Sequence, residues 1–387
     1  MGNIELNWKE DLLEVESRIN DYKYEIIESI RRVVKIESVQ GEATKDNPFG
    51  IKPKLALEEA LKISEELGFK TKNIENAIGY AQYGDFECDD YIGVIGHVDV
   101  VEAGEGWSYS PFDVTKSNGR LYGRGVLDNK GPIMAALYSL KIIKDMGLRL
   151  KKNVRIIFGT NEESGFKDIA YYLKNEKPPI MGFTPDCKYP VIYGERGRLF
   201  IKLTKDVDCF TDKYFNKTEY EINELMNINI ENELEELDFE DESGKLSLNQ
   251  YKVELGEGTL DFYIKIVYPV TITFEEINNK LLSIAKKKSF NIKIINHLQS
   301  VSFDKKSNLI SILENSFEEV TGKVGKSVPT NGGTYAKVMP NIVPFGPSLG
   351  GLDGNPHMTN EYIEIEELLI NIKIFINSIY KLSTSDG

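Results

Sequence analysis

Tyr91-Ile92-Gly93-Val94-Ile95-Gly96-His97-Val98-Asp99-Val100-Val101 is the stretch on which the fold turns. Its first six residues form a short apolar run that opens directly onto a histidine. A run of this kind, with no alternation of polar positions, reads as a strand buried on both faces, which is the habit of parallel sheets. Two later runs have the same texture: Val154 to Gly159 and Ile180 to Thr184. Between the first and second lies a helix-like segment, Pro132 to Met146, stopped at Gly147. Strands alternating with helices predict an α/β fold with a mostly parallel sheet covered on both faces. Upstream, Leu12, Val15, Ile19, Ile26, Ile30, Val33 and Val34 recur at roughly helical spacing, so Asp11 to Ile36 reads as one or two helices. Leu55 to Leu67 reads as another amphipathic helix, ended by Gly68.

The texture changes after about Arg196. Lys202 to Asp241 is rich in charge and holds few consecutive apolar residues. Leu246 to Leu255 and Thr259 to Tyr268 then alternate as two strands joined by a Gly256-Glu257-Gly258 turn. A helix-like run, Thr273 to Lys287, and a strand, Phe290 to Ile295, follow. This order predicts a separate α+β domain with an antiparallel sheet. Beyond it come a helix from Asn308 to Val320, a Gly/Pro-rich loop and strand from Gly332 to Gly351, and a last amphipathic helix from Glu364 to Tyr380. At 387 residues the chain is too long for one core of usual size, and two domains is the natural division.

A net charge of −14 argues against nucleic acid or an anionic membrane as partner. Met1 to Glu16 shows no apolar signal-peptide core, and no stretch approaches the roughly 18 consecutive apolar residues of a membrane span. Cys88, Cys187 and Cys209 are few, odd in number and widely spaced, which supports neither a disulfide framework nor a thiolate zinc site. A cytoplasmic location is expected.

Five short motifs could carry chemistry. In an extended chain residues two apart share a face, so His97 and Asp99 can point together beyond the carboxyl edge of the sheet, where open α/β sheets place their sites. An Asp beside a metal-binding His accepts the imidazole N–H and fixes its tautomer. The second motif, Tyr122 to Pro132, sets Asp128 among glycines just before a helix. The third, Thr160-Asn161-Glu162-Glu163-Ser164-Gly165, puts adjacent carboxylates at a strand end, where they need a cation or a shared proton. Pro185-Asp186 follows the third apolar strand, and His357 lies in a distant loop, Asn355 to Glu361. Each motif alone also has a plain reading: a capped histidine, a helix-capping loop, a solvated acidic turn. Together they are more specific, because three successive strands lead into a potential ligand and two of the three histidines sit in these motifs. Imidazole with carboxylate and no thiolate is the ligand set of a hydrolytic metal site.

These motifs resemble the zinc-dependent exopeptidases that include carnosinases, aminoacylases, acetylornithine deacetylases and bacterial dipeptidases, most of all the dipeptidase V (Xaa-His dipeptidase) branch. The resemblance runs through Gly96 to Val101, Gly106 to Phe112, Leu121 to Pro132, Thr160 to Gly165, Phe183 to Asp186, Gly332 to Ala336 and Pro356 to Ile363. It implies a catalytic domain of residues 1–195 and 306–387 interrupted by a ferredoxin-like α+β lid, residues 196–305. It further implies two Zn2+ per chain, or Mn2+ or Co2+ in their place. Asp128 would bridge them, with His97 and Asp186 completing one shell and Glu163 and His357 the other. Glu162 would be the general base and later the acid, Asp99 would orient His97, and the bond after Asp128 would be cis. Lys337, Gly332 and Gly333 fall where the branch binds substrate. The implied activity is hydrolysis of dipeptides or similar N-acyl amino acids, with a homodimer left open. A deacylase of acylated amino acids, and a relative that binds metal and a peptide-like ligand without turnover, are the alternatives.

Four positions depart from the family pattern. Asn129 stands where an Asp is usual, and Lys337 where the branch places an Arg; Lys keeps the charge without the bidentate fork. The lid segment from Thr204 to Phe210 lacks the family's histidine. His297, the remaining histidine, is then either its stand-in or an ordinary surface residue. The lid is also short for the branch and acidic between Glu219 and Glu242.

Overall fold

The computed structural model describes residues 6–84, 89–206, 230–256, 259–350 and 354–385. In chain order its main elements begin with helices α1 (Trp8–Val34) and α2 (Ile51–Glu66), then strands β1 (Lys70–Ile74), β2 (Ile78–Tyr83) and β3 (Tyr91–His97). Helix α3 (Lys130–Asp145), β4 (Asn153–Gly159), α4 (Asp168–Asn175) and β5 (Met181–Thr184) follow. Next are β6 (Gly197–Asp206), β7 (Ser247–Leu255), β8 (Thr259–Tyr268), α5 (Phe274–Lys288) and β9 (Asn291–Leu298). The chain closes with α6 (Asn308–Thr321), β10 (Ile342–Pro344) and α7 (Ile365–Thr384). The molecule divides into two compact units: residues 1–193, 304–327 and 334–387, and residues 194–303 with 328–333.

The larger unit is built on a sheet of order β1-β2-β4-β3-β5-β10. β4, β3, β5 and β10 run parallel. Every residue of β3 is buried, as its unbroken apolar run predicts for a strand covered on both faces. The covers are helices. α3 is buried nearly all round its first three turns, and α1, a single helix, presents Val15, Ile19, Ile26, Ile30 and Val33 inward at helical spacing. The sheet is mostly parallel, as expected, and at one edge β1 and β2, which were not read from the sequence, form a hairpin that joins β4 antiparallel. That hairpin turns at Glu75 and Asn76, both with positive φ, and short polar-flanked strands of this kind carry little periodic signal.

The smaller unit holds an antiparallel sheet of order β7-β8-β6-β9. β6 occupies the segment directly after Arg196, for which no strand is read from the sequence. Leu199, Ile201 and Leu203 are buried, while Arg198, Phe200, Lys202 and Thr204, which alternate with them, are only partly so. Those three pack with Leu260, Phe262, Ile264, Ile266 and Tyr268 of β8 and with Ile277, Leu281 and Ile284 of α5 in one apolar core. Thr273 starts α5 with a capping box in which its side chain and that of Glu276 each satisfy the other's backbone N–H. Val207 to Phe210, the first part of the acidic stretch (Glu219 to Asn229), the Glu257-Gly258 turn, Cys88 and Cys209 lie outside the described residues.

Candidate metal centre

β3, β4 and β5 run parallel and in register, His97 opposite Gly159 and Val94 opposite Phe183. Their carboxyl ends therefore lie at one edge, and the chain leaves that edge through His97-Val98-Asp99, Thr160 to Glu163, and Pro185-Asp186. Asp128 reaches the same place from the turn preceding α3. The Asp128–Asn129 bond is cis.

The five residues implied as ligands converge here. His97 is fully buried. Its Nε2 lies 3.1 Å from Asp128 Oδ1 and 3.7 Å from Asp186 Oδ2. His357 Nε2 lies 3.0 Å from Asp128 Oδ2 and 3.0 Å from Glu163 Oε2. The Asp128 carboxylate thus turns one oxygen to each imidazole. Ligand atoms of His97, Glu162 and Asp186 fall within 4.8 Å of one another, as do those of His97, Asp128 and Glu163. Glu162 is buried and stands with these residues.

The electrostatics are those of crowded charge in a dry place. Burial first, then the negative charge of Asp186, pushes the Glu162 carboxyl well above its usual range. Burial and the Asp128 charge push Glu163 up to about 7. Burial opposes the charge on Asp128 as well, yet hydrogen bonds from His357 and His97 overcome it and hold that carboxyl below its usual range. Burial likewise opposes a charge on His97, but Asp186, Asp128 and Asp99 raise it well above an ordinary imidazole. Hydrogen bonds to Asp128 and Glu163 raise half-exposed His357 to about 10. Glu163 Oε1 is buried and meets no hydrogen-bond donor. Four carboxylates, two imidazoles and an unsatisfied buried oxygen fit divalent cations, which neutralise the charge and take up the orphan atom.

The surroundings hold the cluster in shape. His97 Nδ1 lies 3.0 Å from the main-chain oxygen of Asp99 and 3.4 Å from its carboxylate. The nearer acceptor for that ring nitrogen is therefore backbone. The Asp99 carboxylate has a second task that the sequence did not suggest: it accepts the N–H groups of Glu162 at 3.2 Å and Glu163 at 3.1 Å, fixing the turn between them.

Three further groups escaped sequence reasoning. Glu361, fully buried, accepts N–H groups from Gly125 (3.0 Å), Leu127 (2.9 Å) and Asp128 (3.0 Å), and Arg124 Nη1 at 2.8 Å. It locks the Asp128 loop to the loop of His357. Asp168, also buried, accepts N–H groups of Thr160 at 2.8 Å and Asn161 at 3.1 Å and the Tyr335 hydroxyl. Gly159 is required beneath it, since a Cβ there would overlap that hydroxyl. Asn129 bonds to both the His97 and Asp186 segments. Glu361 and Asn129 sat inside quoted motifs, but their partners lie far off in sequence, so no spacing rule marks them.

Lys337 is buried in a single 3₁₀ turn, Tyr335–Lys337, whose start is capped by Thr334. Gly332 and Gly333 belong to the smaller unit. So does His297, a partly buried residue of β9. Its Nε2 lies 2.7 Å from the Tyr268 hydroxyl, and its ring lies 4.2 Å from that of Phe274.

The model of peptidase family M20/M25/M40 matches residues 93–381. The chain belongs to that family. Similar proteins include "Putative dipeptidase YtjP" of Bacillus subtilis, 29% identical over 474 residues, spanning 98% of this chain and 100% of the relative. A "Putative dipeptidase" of Staphylococcus epidermidis is 27% identical over 477 residues, spanning 98% and 100%. Among solved structures, human carnosine dipeptidase 1 superposes with a TM-score of 0.70 at 16% identity, covering 96% of this chain and 99% of the other. The dipeptidase Dug1p of Saccharomyces cerevisiae gives 0.70 at 16%, covering 97% and 99%. At such identities these likenesses concern the fold. As an M20 metallopeptidase, the chain has a dipeptidase-like function and its family's dependence on a divalent metal. No helix among the described residues is long and apolar enough to cross a membrane.

Proposed function

We propose that this protein is a di-zinc dipeptidase, cytoplasmic, with residues 1–195 and 306–387 as its catalytic domain and residues 196–305 as a lid. His97, Asp128 and Asp186 would hold one ion, and Asp128, Glu163 and His357 the other; Mn2+ or Co2+ could take their places. The observation that carries the reading is the Asp128 carboxylate, one oxygen 3.1 Å from His97 and the other 3.0 Å from His357. A pair of divalent ions, when bound, supplies Lewis acidity that makes water more acidic and polarises the substrate carbonyl.

The rest is the work of side chains. Glu162 is buried beside the ligands without belonging to either proposed shell, and its carboxyl is proton-avid by burial and by Asp186. It takes the proton of the attacking water and returns it to the leaving amine, so one carboxyl serves as base and then as acid. Asp99 keeps Glu162 and Glu163 in their turn through two N–H bonds while its own carbonyl faces His97. Lys337 offers a cation for the substrate's terminal carboxylate. Gly332 and Gly333 offer main chain that a substrate can approach closely.

The test is release of amino acids from a panel of dipeptides by the zinc-loaded protein, with Glu162→Gln as control. Turnover of dipeptides, reduced about 10²–10⁴-fold by the substitution, is the expected outcome. Bound metal without turnover of any dipeptide or acyl-amino acid would sink the enzymatic reading. Turnover of acyl-amino acids alone would make the protein a deacylase.

A further inference from the structure

We propose that Asn129 is a positioning residue that sets the ion preference of the centre by fixing how Asp186 is presented. This rests on the metal-binding reading given above.

Asn129 is fully buried, and main-chain groups decide which way its amide faces. Nδ2 lies 2.6 Å from the carbonyl oxygen of Pro185, which can only accept. Oδ1 lies 3.4 Å from the N–H of His97, which can only donate. The amide therefore cannot be turned over, and Nδ2 presents a donor to Asp186 Oδ1 at 3.2 Å. The other oxygen of that carboxylate, Oδ2, is the one 3.7 Å from His97 Nε2. One side chain thus ties together the end of β3, the residue after Asp128 and the Asp186 segment. Gly96 keeps the space open, because a Cβ there would overlap the Asn129 amide oxygen.

A carboxylate at position 129 would set an oxygen against the Pro185 carbonyl and against the Asp186 carboxylate. The amide replaces both repulsions with hydrogen bonds. It also spares the site a further negative charge beside Asp128, Glu162, Glu163 and Asp186. With Oδ1 engaged by Nδ2, Asp186 is biased to offer a cation Oδ2 alone. A carboxylate that gives one oxygen suits an ion content with about four ligands, such as zinc. It suits less well an ion that prefers six, mostly oxygen, such as manganese. Asn129 accordingly biases the centre toward zinc.

The experiment measures Zn2+ and Mn2+ dissociation constants of the metal-free full chain by competition with a chromogenic chelator. Wild type is compared with Asn129→Ala and Asn129→Asp, and thermal melting confirms that each is folded. Asn129→Asp preserves size and adds a charge that strengthens both ions alike, so the ratio of the two affinities is the reading. In Asn129→Ala zinc affinity should fall about 10–100-fold, manganese affinity should fall less, and the zinc-over-manganese ratio should narrow about tenfold in both variants. A ratio unchanged in both variants, whether the affinities fall together or not at all, overturns the inference and leaves the metal centre standing. A wild-type chain that binds neither ion overturns both.

Discussion

The two units solve the same packing problem with opposite materials. In the smaller one, β6, β8 and α5 bury an apolar core of Leu, Ile, Phe and Tyr, and the charges alternate outward. In the larger one, the edge beyond the strand ends of an equally apolar sheet holds His97, Asp99, Asn129, Asp168 and Glu361 out of water, each hydrogen-bonded to main chain or to another buried group, with the Glu162 carboxyl buried beside them. Burying polar groups costs unless they are paired, so the larger unit invests its hydrogen bonds in geometry rather than stability. The lesson is that a catalytic fold can confine its strained electrostatics to one edge of one sheet.

That contrast can be broken in order of effect. Glu361→Ala strips the acceptor from three N–H groups and leaves buried Arg124 without its carboxylate partner. It should cost at least about 5 kcal/mol of unfolding free energy in urea titration, a loss no surface substitution approaches. Asp168→Asn comes next. Burial raises the Asp168 carboxyl from 3.8 to about 7. A carboxyl whose folded pKa is raised contributes stability that is present below pH 3.8 and lost as pH rises through about 7. Metal-free wild type should therefore lose roughly 4 kcal/mol relative to Asp168→Asn between those limits, measured by denaturation at a series of pH values. A flat difference would mean that Asp168 is ionised at little cost.

In the smaller unit, Ile264→Ala opens a cavity in the core and should cost about 3 kcal/mol. It should leave zinc affinity unchanged, and a changed affinity would mean that the two kinds of architecture are coupled. Least of all, Thr273→Ala removes the α5 capping box and should cost about 1 kcal/mol, read as a small shift of the denaturation midpoint.

The same contrast governs what the sequence reveals. Apolar runs made β3, β4 and β5 readable, and alternation made β7 and β8 readable, because both signals are local. β6 was not legible because its burial follows parity across Arg198, Phe200, Lys202 and Thr204, without the long unbroken apolar run that marks β3. The residues proposed as ligands were legible as a set, from Gly96-His97 to Pro356-His357, although single motifs would not have sufficed. Asn129, Asp168 and Glu361 were not legible as holders of the site. Glu361 acts on main chain up to 236 residues away, Asn129 on main chain 56 residues away, and Asp168 accepts a hydroxyl 167 residues away, relations that only folding creates.

The central claim is that Asp128 lies between two metal ions. Metal content of the purified chain, equilibrated with Zn2+ and freed of excess, tests it when wild type and Asp128→Asn are compared by elemental analysis. Two zinc ions per wild-type chain and fewer in the variant are predicted. One or none in wild type, or two retained after the substitution, would contradict it.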